Sequence, residues 1–311
     1  MKFDSAETDG VKVLFQANAT LAEGPLWDNR LDLLYWLDIR RRRVSRFDPK
    51  KNCQTGVWIL PNRPGCIALT SDPDKLVVAA GAEILILNLQ DGTKSTHATL
   101  PIDTPTLRAN DGCVDAQARL WVGTMIDDIN APEQFSGGRL FRIDPDGNIE
   151  MVDCEFELPN GIGWSRDGAI MYINDTTARM TYCFDFDAHT GALSNQRVFY
   201  DHSHGAGFPD GLSVDADGCI WSAQWDGWNI RKISPEGHLV KEVPMPVRRP
   251  SSATFFGPNM DHIVITSATV DFTTADFLAS PDAGSLFSMP AGAKGVVENQ
   301  FSLSVDSGVS P

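Results

Sequence analysis

Four oxygen-bearing side chains hold one aligned place in a phrase that recurs along this sequence: Glu23, Asp111, Asn160 and Asp210. Each directly precedes a glycine, at Gly24, Gly112, Gly161 and Gly211. If the phrases are equivalent units around an axis, the four side chains converge on one point. Three carboxylates there cannot all stay charged and unpaired, because like charges in a low dielectric repel strongly and one would take up a proton. A divalent cation removes the conflict. The donor set is all oxygen and contains no histidine, which suits calcium, magnesium, manganese or ferrous iron, with zinc accommodated only on oxygen ligands. Arg108 and Asn110 lie just ahead of Asp111. The guanidinium offers a fork of donors for a carbonyl or hydroxyl, and the amide can both donate and accept.

The elements that would place these residues are read from the repeat. The phrase runs from a glycine through a short apolar stretch and a polar turn into an alternating apolar strand. It reads GPLWDNRLDLLYWLD from Gly24, GCIALTSDPDKLVVAAG from Gly65 and GCVDAQARLWVGT from Gly112. It returns as GIGWSRDGAIMYIND from Gly161, GLSVDADGCIWSAQ from Gly211 and, with serine first, SATFFGPNMDHIVITS from Ser252. The residues before these starts are Glu23, Pro64, Asp111, Asn160, Asp210 and Ser251. Successive starts are 41, 47, 49, 50 and 41 residues apart, the spacing of a four-stranded propeller blade. A second phrase (VSRFDPK, ILILNLQDG, RLFRIDPDG, YCFDFDAHTG, IRKISPEG) supplies a third strand and a turn in five of the units. The expected fold is all-β, a six-bladed β-propeller spanning residues 1–311 as one domain, with a metal site on the central axis. The segment from Val11 to Gln16 is expected to complete the last blade, since closure leaves no open edge. The tail after Phe301 is expected to fray.

Composition narrows the partners. The net charge of −15 repels phosphate backbones and anionic headgroups, so neither nucleic acid nor membrane is expected as the main partner. The basic run Arg40–Arg43 reads as a solvated strand-and-turn face. No run of 18 apolar residues occurs, and the polar start MKFDSAETDG lacks a signal core, which points to the cytoplasm. Six cysteines are scattered without a C-x-x-C pair, so Cys66, Cys113 and Cys219 are expected as buried thiols. His202 and His204 read as part of a solvated loop, and Trp225 and Trp228 as packing residues with a sugar-stacking platform as second reading.

At these residues the chain resembles the regucalcin, gluconolactonase and luciferin-regenerating enzyme family. The matching phrases are AEGPLWD at Ala22, RANDGCVDAQARLWVGTM at Arg108, LPNGIGWSRDG at Leu158 and FPDGLSVDADG at Phe208, in order along nearly the whole chain. The resemblance implies one divalent metal on Glu23, Asn160 and Asp210, with Arg108 and Asn110 contacting substrate. It also implies a substrate role for the acid after the GTM phrase, Asp128, which is shorter than the glutamate of some relatives. The expected activity is hydrolysis of a sugar (aldono-) lactone, with the metal as Lewis acid on the ring carbonyl and Asp210 as general base. Two alternatives stay open on the same scaffold: another metal-dependent esterase or phosphotriesterase, and a non-catalytic metal-binding interaction module.

Overall fold

The computed structural model describes residues 10–104, 106–127 and 137–303. Six four-stranded antiparallel sheets follow one another around a ring. Blade one holds β2 (Ala22–Asp28), β3 (Leu33–Asp38), β4 (Arg43–Asp48) and β5 (Cys53–Ile59). Blade two holds β6 (Pro64–Leu69), β7 (Lys75–Ala80), β8 (Glu83–Asn88) and β9 (Lys94–Thr99). Blade three is β10 (Leu107–Val114), β11 (Leu120–Ile126), β12 (Gly138–Ile143) and β13 (Ile149–Phe156). Blade four is β14 (Pro159–Trp164), β15 (Ile170–Asp175), β16 (Met180–Phe186) and β17 (Leu193–Asp201). Blade five is β18 (Phe208–Val214), β19 (Ile220–Trp225), β20 (Asn229–Ile233) and β21 (Leu239–Pro244). Blade six joins β22 (Pro250–Phe256), β23 (His262–Ser267) and β24 (Leu286–Pro290) to β1 (Lys12–Phe15), the first strand of the chain. The repeat phrases are thus the first two strands of each blade, and the Val11 segment closes the ring as expected.

Each innermost strand touches its neighbours on both sides: β2, β6, β10, β14, β18, β22 and back to β2. These strands are buried on both faces, as in β6 and β22, whereas the outermost strands such as β9 and β21 are largely exposed. Apolar side chains fill the spaces between adjacent blades, with Trp36, Trp121 and Trp221 among the largest fully buried. The close approach of the inner strands explains the glycines. A Cβ at Gly65 would fall 2.3 Å from the carbonyl oxygen of Asn110 on the next blade, and one at Gly161 would fall 2.6 Å from that of Asp210. Gly161 also has φ +31°, in the region that favours glycine.

One regularity was invisible in the repeat. All six inner strands carry one extra residue relative to their partner strands, at the same place. The shift falls between Glu23 and Leu26, Pro64 and Cys66, Ala109 and Gly112, Asn160 and Ile162, Pro209 and Leu212, and Pro250 and Ala253. Such a bulge re-aims a side chain and bends the strand. Here it lies at the aligned residue.

The turn of the blade-three hairpin is pinned from inside. Asp115, 1% exposed, accepts from the backbone N–H of Gln117 (2.8 Å) and Arg119 (3.1 Å) through one oxygen. Its other oxygen accepts from Arg119 Nε (2.7 Å) and Trp121 Nε1 (2.8 Å). Asp215 repeats the arrangement with Trp221 Nε1 (3.0 Å) in blade five. A helix, α1 (Thr274–Ala279), with a capping box on Thr273 and Asp276, interrupts the otherwise all-β chain between β23 and β24. No helix among the described residues is long and apolar enough to cross a membrane. All six cysteines are free. Cys66 and Cys219 are buried as expected, while Cys113 is only half-buried. Replacing Asp115 by alanine leaves Arg119 as a buried, uncompensated charge. Asp115→Ala should lower the unfolding free energy by on the order of 3 kcal/mol, read by urea or thermal unfolding. A loss below about 0.5 kcal/mol would show that the hairpin does not depend on this pin.

Candidate functional site

The bulges turn Glu23, Asp111, Asn160 and Asp210 toward a cavity of about 580 Å³ on the axis. Its wall also includes Arg40, Arg63, Arg108, Asn110, Asp127, Thr176, Trp225 and Val270. Asp111 lines this cavity and also a second one of about 370 Å³, which holds Glu298. Pro64 and Ser251, the other two aligned residues, add no carboxylate. Ser251 Oγ donates to Ala22 O (2.6 Å) and so ties blade six to blade one.

The electrostatics of the axis are strained. Burial raises the Glu23 carboxyl well above its usual range, and the charges of Asp210 and Asp111 push it further. Burial raises Asp210 well above its usual range too, with Asp111 adding to the effect. Asp111 is pushed up to about 6 by burial, against backbone N–H bonds from Gly112 and Gly161 that favour its charge. No Lys or Arg forms an ion pair with any of the three among the described residues; the charge of Arg108 acts on Glu23 only from a distance.

The local contacts show what each donor has left. Glu23 Oε2 accepts from the N–H of Gly24 (2.8 Å). Asn160 Nδ2 donates to Asp210 Oδ1 (2.5 Å) and Thr176 Oγ1 (3.2 Å), which leaves its carbonyl oxygen without a hydrogen bond among the described residues. Counting His, Cys, Asp and Glu alone, no group of three is assembled as a metal site among the described residues. The residues that could hold a cation here are Glu23 and Asp210 through carboxylate oxygens and Asn160 through its amide oxygen. Crowded anionic oxygens without a counter-ion, a free amide oxygen and no imidazole or thiolate match a hard divalent ion.

Arg108 is 6% exposed, and burial lowers its pKa to about 10 against the opposing pull of Asp127. Its Nε donates to Asp127 (3.1 Å) and its Nη1 to Ala109 O (2.7 Å) and Asn110 Oδ1 (3.3 Å), leaving Nη2 without a partner among the described residues. Asn110 Nδ2 donates to Pro159 O (3.1 Å), so this amide braces Arg108 and links blades three and four. Asp128 lies outside the described residues. Its neighbour Asp127 lines the cavity and also pairs with Arg63 at 2.6 Å. Trp225 lines the cavity with Arg249 over its ring at 4.8 Å, which holds it in place.

The reading of His202 as part of a solvated loop is corrected: its side chain is fully buried, and only His204 is exposed. It belongs to a network behind Asp210. Asn174 Nδ2 donates to Asp210 O (2.6 Å) and Ser222 Oγ (3.1 Å). Thr181 Oγ1 donates its proton to Asn174 Oδ1 (2.7 Å), so His202 Nε2, 2.9 Å away, must donate to Thr181. His202 Nδ1 is then left as the acceptor for Arg231 Nη1 (3.1 Å). A signal for this existed in the polar residues on the inward faces of β15 and β16, but sequence alone does not pair them.

The architecture and the axial constellation define a class: six-bladed propellers with one polar site built from inner-strand starts. The chain belongs to the SMP-30/Gluconolactonase/LRE-like family, whose pattern matches residues 21–269. It is 34% identical over 280 residues to pentonolactonase XacC of Haloferax volcanii, covering 88% of this chain and 92% of that one. It is 29% identical over 292 residues to a 6-deoxy-6-sulfogluconolactonase of Pseudomonas putida, covering 94% and 98%. A calcium-binding regucalcin of Agrobacterium tumefaciens superposes with a TM-score of 0.87 at 27% identity, covering 94% and 97%.

Burial, then the Arg231 charge, lowers His202 to about 3. The unfolded chain therefore takes up a proton near pH 6.5 while the folded chain does not, so stability is lost as pH falls from 6.5 toward 3. The slope from this one group is about 1.4 kcal/mol per pH unit. The stability difference between wild type and His202→Gln should shrink as pH falls from 7 to 4. Parallel stability curves for the two proteins would disprove the assignment.

Proposed function

We propose that this protein is a metal-dependent sugar lactonase acting at the axial cavity, with Glu23, Asn160 and Asp210 as metal ligands. The observation that carries the reading is the crowding of buried, unpaired carboxylates and one amide oxygen beside a half-satisfied arginine. The names of the two lactonase relatives support a sugar lactone as substrate, and the calcium-binding relative supports a divalent ion. A cation on these oxygens supplies Lewis acidity to the lactone carbonyl.

The chain's own groups do the rest. Arg108 Nη2 donates to a substrate oxygen and fixes the ring against the wall, with Asn110 and Asp127 holding the guanidinium plane. Asp210 Oδ1 is held by Asn160, and its second oxygen takes a proton from the attacking water. Water oxygen bonds to the carbonyl carbon, the ring C–O bond breaks, and the proton passes from Asp210 to the departing ring oxygen. The product is the open-chain aldonic acid. The buried network behind Asp210 O keeps the base in place.

Chelation, or Asp210→Ala, should reduce turnover of pentono- and hexonolactones at least about a hundredfold, followed by pH-stat titration. The folded state should persist in Asp210→Ala, because the change removes a desolvated carboxylate that repels its neighbours. Aryl esters and phosphotriesters in the same assay give the comparison. Undiminished lactone hydrolysis after either treatment would rule out this mechanism.

A further inference from the structure

The run Arg40–Arg43 divides in the structure. Arg41 donates to Asn18 O (2.6 Å), Arg42 to Pro61 O (3.1 Å), and Arg43 pairs with Asp38 (3.4 Å). The expected solvated turn describes these three. Arg40 has no hydrogen bond or ion pair among the described residues, and it lines the axial cavity together with Arg63 and Arg108.

The three guanidiniums form a graded wall. Arg108 is buried at 6% exposure, the Arg63 side chain is 35% exposed, and Arg40 stands exposed at the rim. Among the described residues the carboxylate bonded on this wall is Asp127, which pairs with Arg63 and Arg108 and not with Arg40. The other acids of the cavity, Glu23, Asp111 and Asp210, belong to the axial inner strands, where a cation would be held. In a protein of net charge −15, three guanidiniums thus stand with a single carboxylate on this part of the wall, among the described residues. The volume is in the range of cavities that enclose ligands larger than a bare sugar ring.

We infer that Arg40 and Arg63 receive an acidic group on the substrate, so that the preferred lactone carries a carboxylate, phosphate or sulfonate at the end away from its carbonyl. This rests on the lactonase reading: the carbonyl sits at Asp210 on the axis, and the far end of the ring substituents reaches the rim. Guanidinium forks match all three acidic groups with paired N–H donors. The exposed part of the wall also attracts anions over a range set by the salt concentration.

The test compares hexonolactones bearing a terminal hydroxyl, carboxylate, phosphate or sulfonate, assayed on wild type and on Arg40→Gln with the same metal loading. An acidic lactone should exceed the neutral one in kcat/KM, mainly through KM. The charged-to-neutral ratio should fall about tenfold or more in Arg40→Gln and also fall as salt rises from 20 to about 200 mM. Which acid ranks first identifies the group. A calorimetric titration with the open-chain dicarboxylate, read on both proteins, gives the same comparison without turnover. If neutral lactones are hydrolysed as well as charged ones, or the ratio is unmoved in Arg40→Gln, this inference is overturned and the lactonase reading stands. If no lactone of either kind is hydrolysed, both fall.

Discussion

The structure depends on how closely six inner strands approach one another around the axis. The spacing leaves no room for a Cβ at Gly65 or Gly161, so the neighbouring strand's backbone lies where a side chain would be. Strands this close cannot run straight past each other with ordinary pleating. Each one takes an extra residue at the aligned position, beside a glycine in five strands and Ser252 in the sixth, and that bulge turns the preceding side chain toward the centre. The packing constraint and the aim of the candidate ligands are therefore one geometric fact. A larger residue at the glycine position would move the ligand as well as the blade.

Aiming carboxylates at one place has an electrostatic cost that the fold does not remove. Asp210 and Asp111 add to the raised proton affinity of Glu23, Asp111 adds to that of Asp210, and the guanidinium of Arg108 is bonded to Asp127 instead. The groups that hold Asp210 in place sit one layer further out and are neutral as far as His202, with the Arg231 guanidinium at the far end. Asn160, itself bonded to Thr176, holds Asp210 from the side, and the chain from Asn174 through Thr181 to His202 and Arg231 holds its backbone. This arrangement stabilises position without neutralising charge. A site meant only to be stable would carry apolar residues in place of crowded acids.

The repeat was legible because a propeller writes its architecture into spacing: a glycine, a turn and an alternating strand at near-constant intervals. The convergence of Glu23, Asp111, Asn160 and Asp210 on one cavity followed from the same alignment. The bulges were not legible, since they are a difference in residue count between paired strands and pairing is absent from a sequence. His202 was misread for a related reason. The stretch DHSHGAG has the composition of a solvated loop, and its first histidine is enclosed by residues distant in sequence, Thr181 before it and Arg231 after it. Helix α1 escaped notice because one and a half turns are too short to show a periodicity.

Blade six borrows its outermost strand from the start of the chain, with Val13 opposite Phe287 and Lys12 opposite Ser288. During synthesis on the ribosome, β1 emerges early and β24 emerges more than 270 residues later. At the usual rates of elongation, β1 waits on the order of ten seconds or more before its partner exists. In that interval the first blade can assemble, while for most of it the neighbour on the far side has only β1. The ring therefore closes last and closes once, and the delay exposes the apolar flank of blade one to whatever holds nascent chains in solution. An N-terminal extension that masked Lys12–Phe15 would act at this late step, leaving five blades formed and the sixth unfinished.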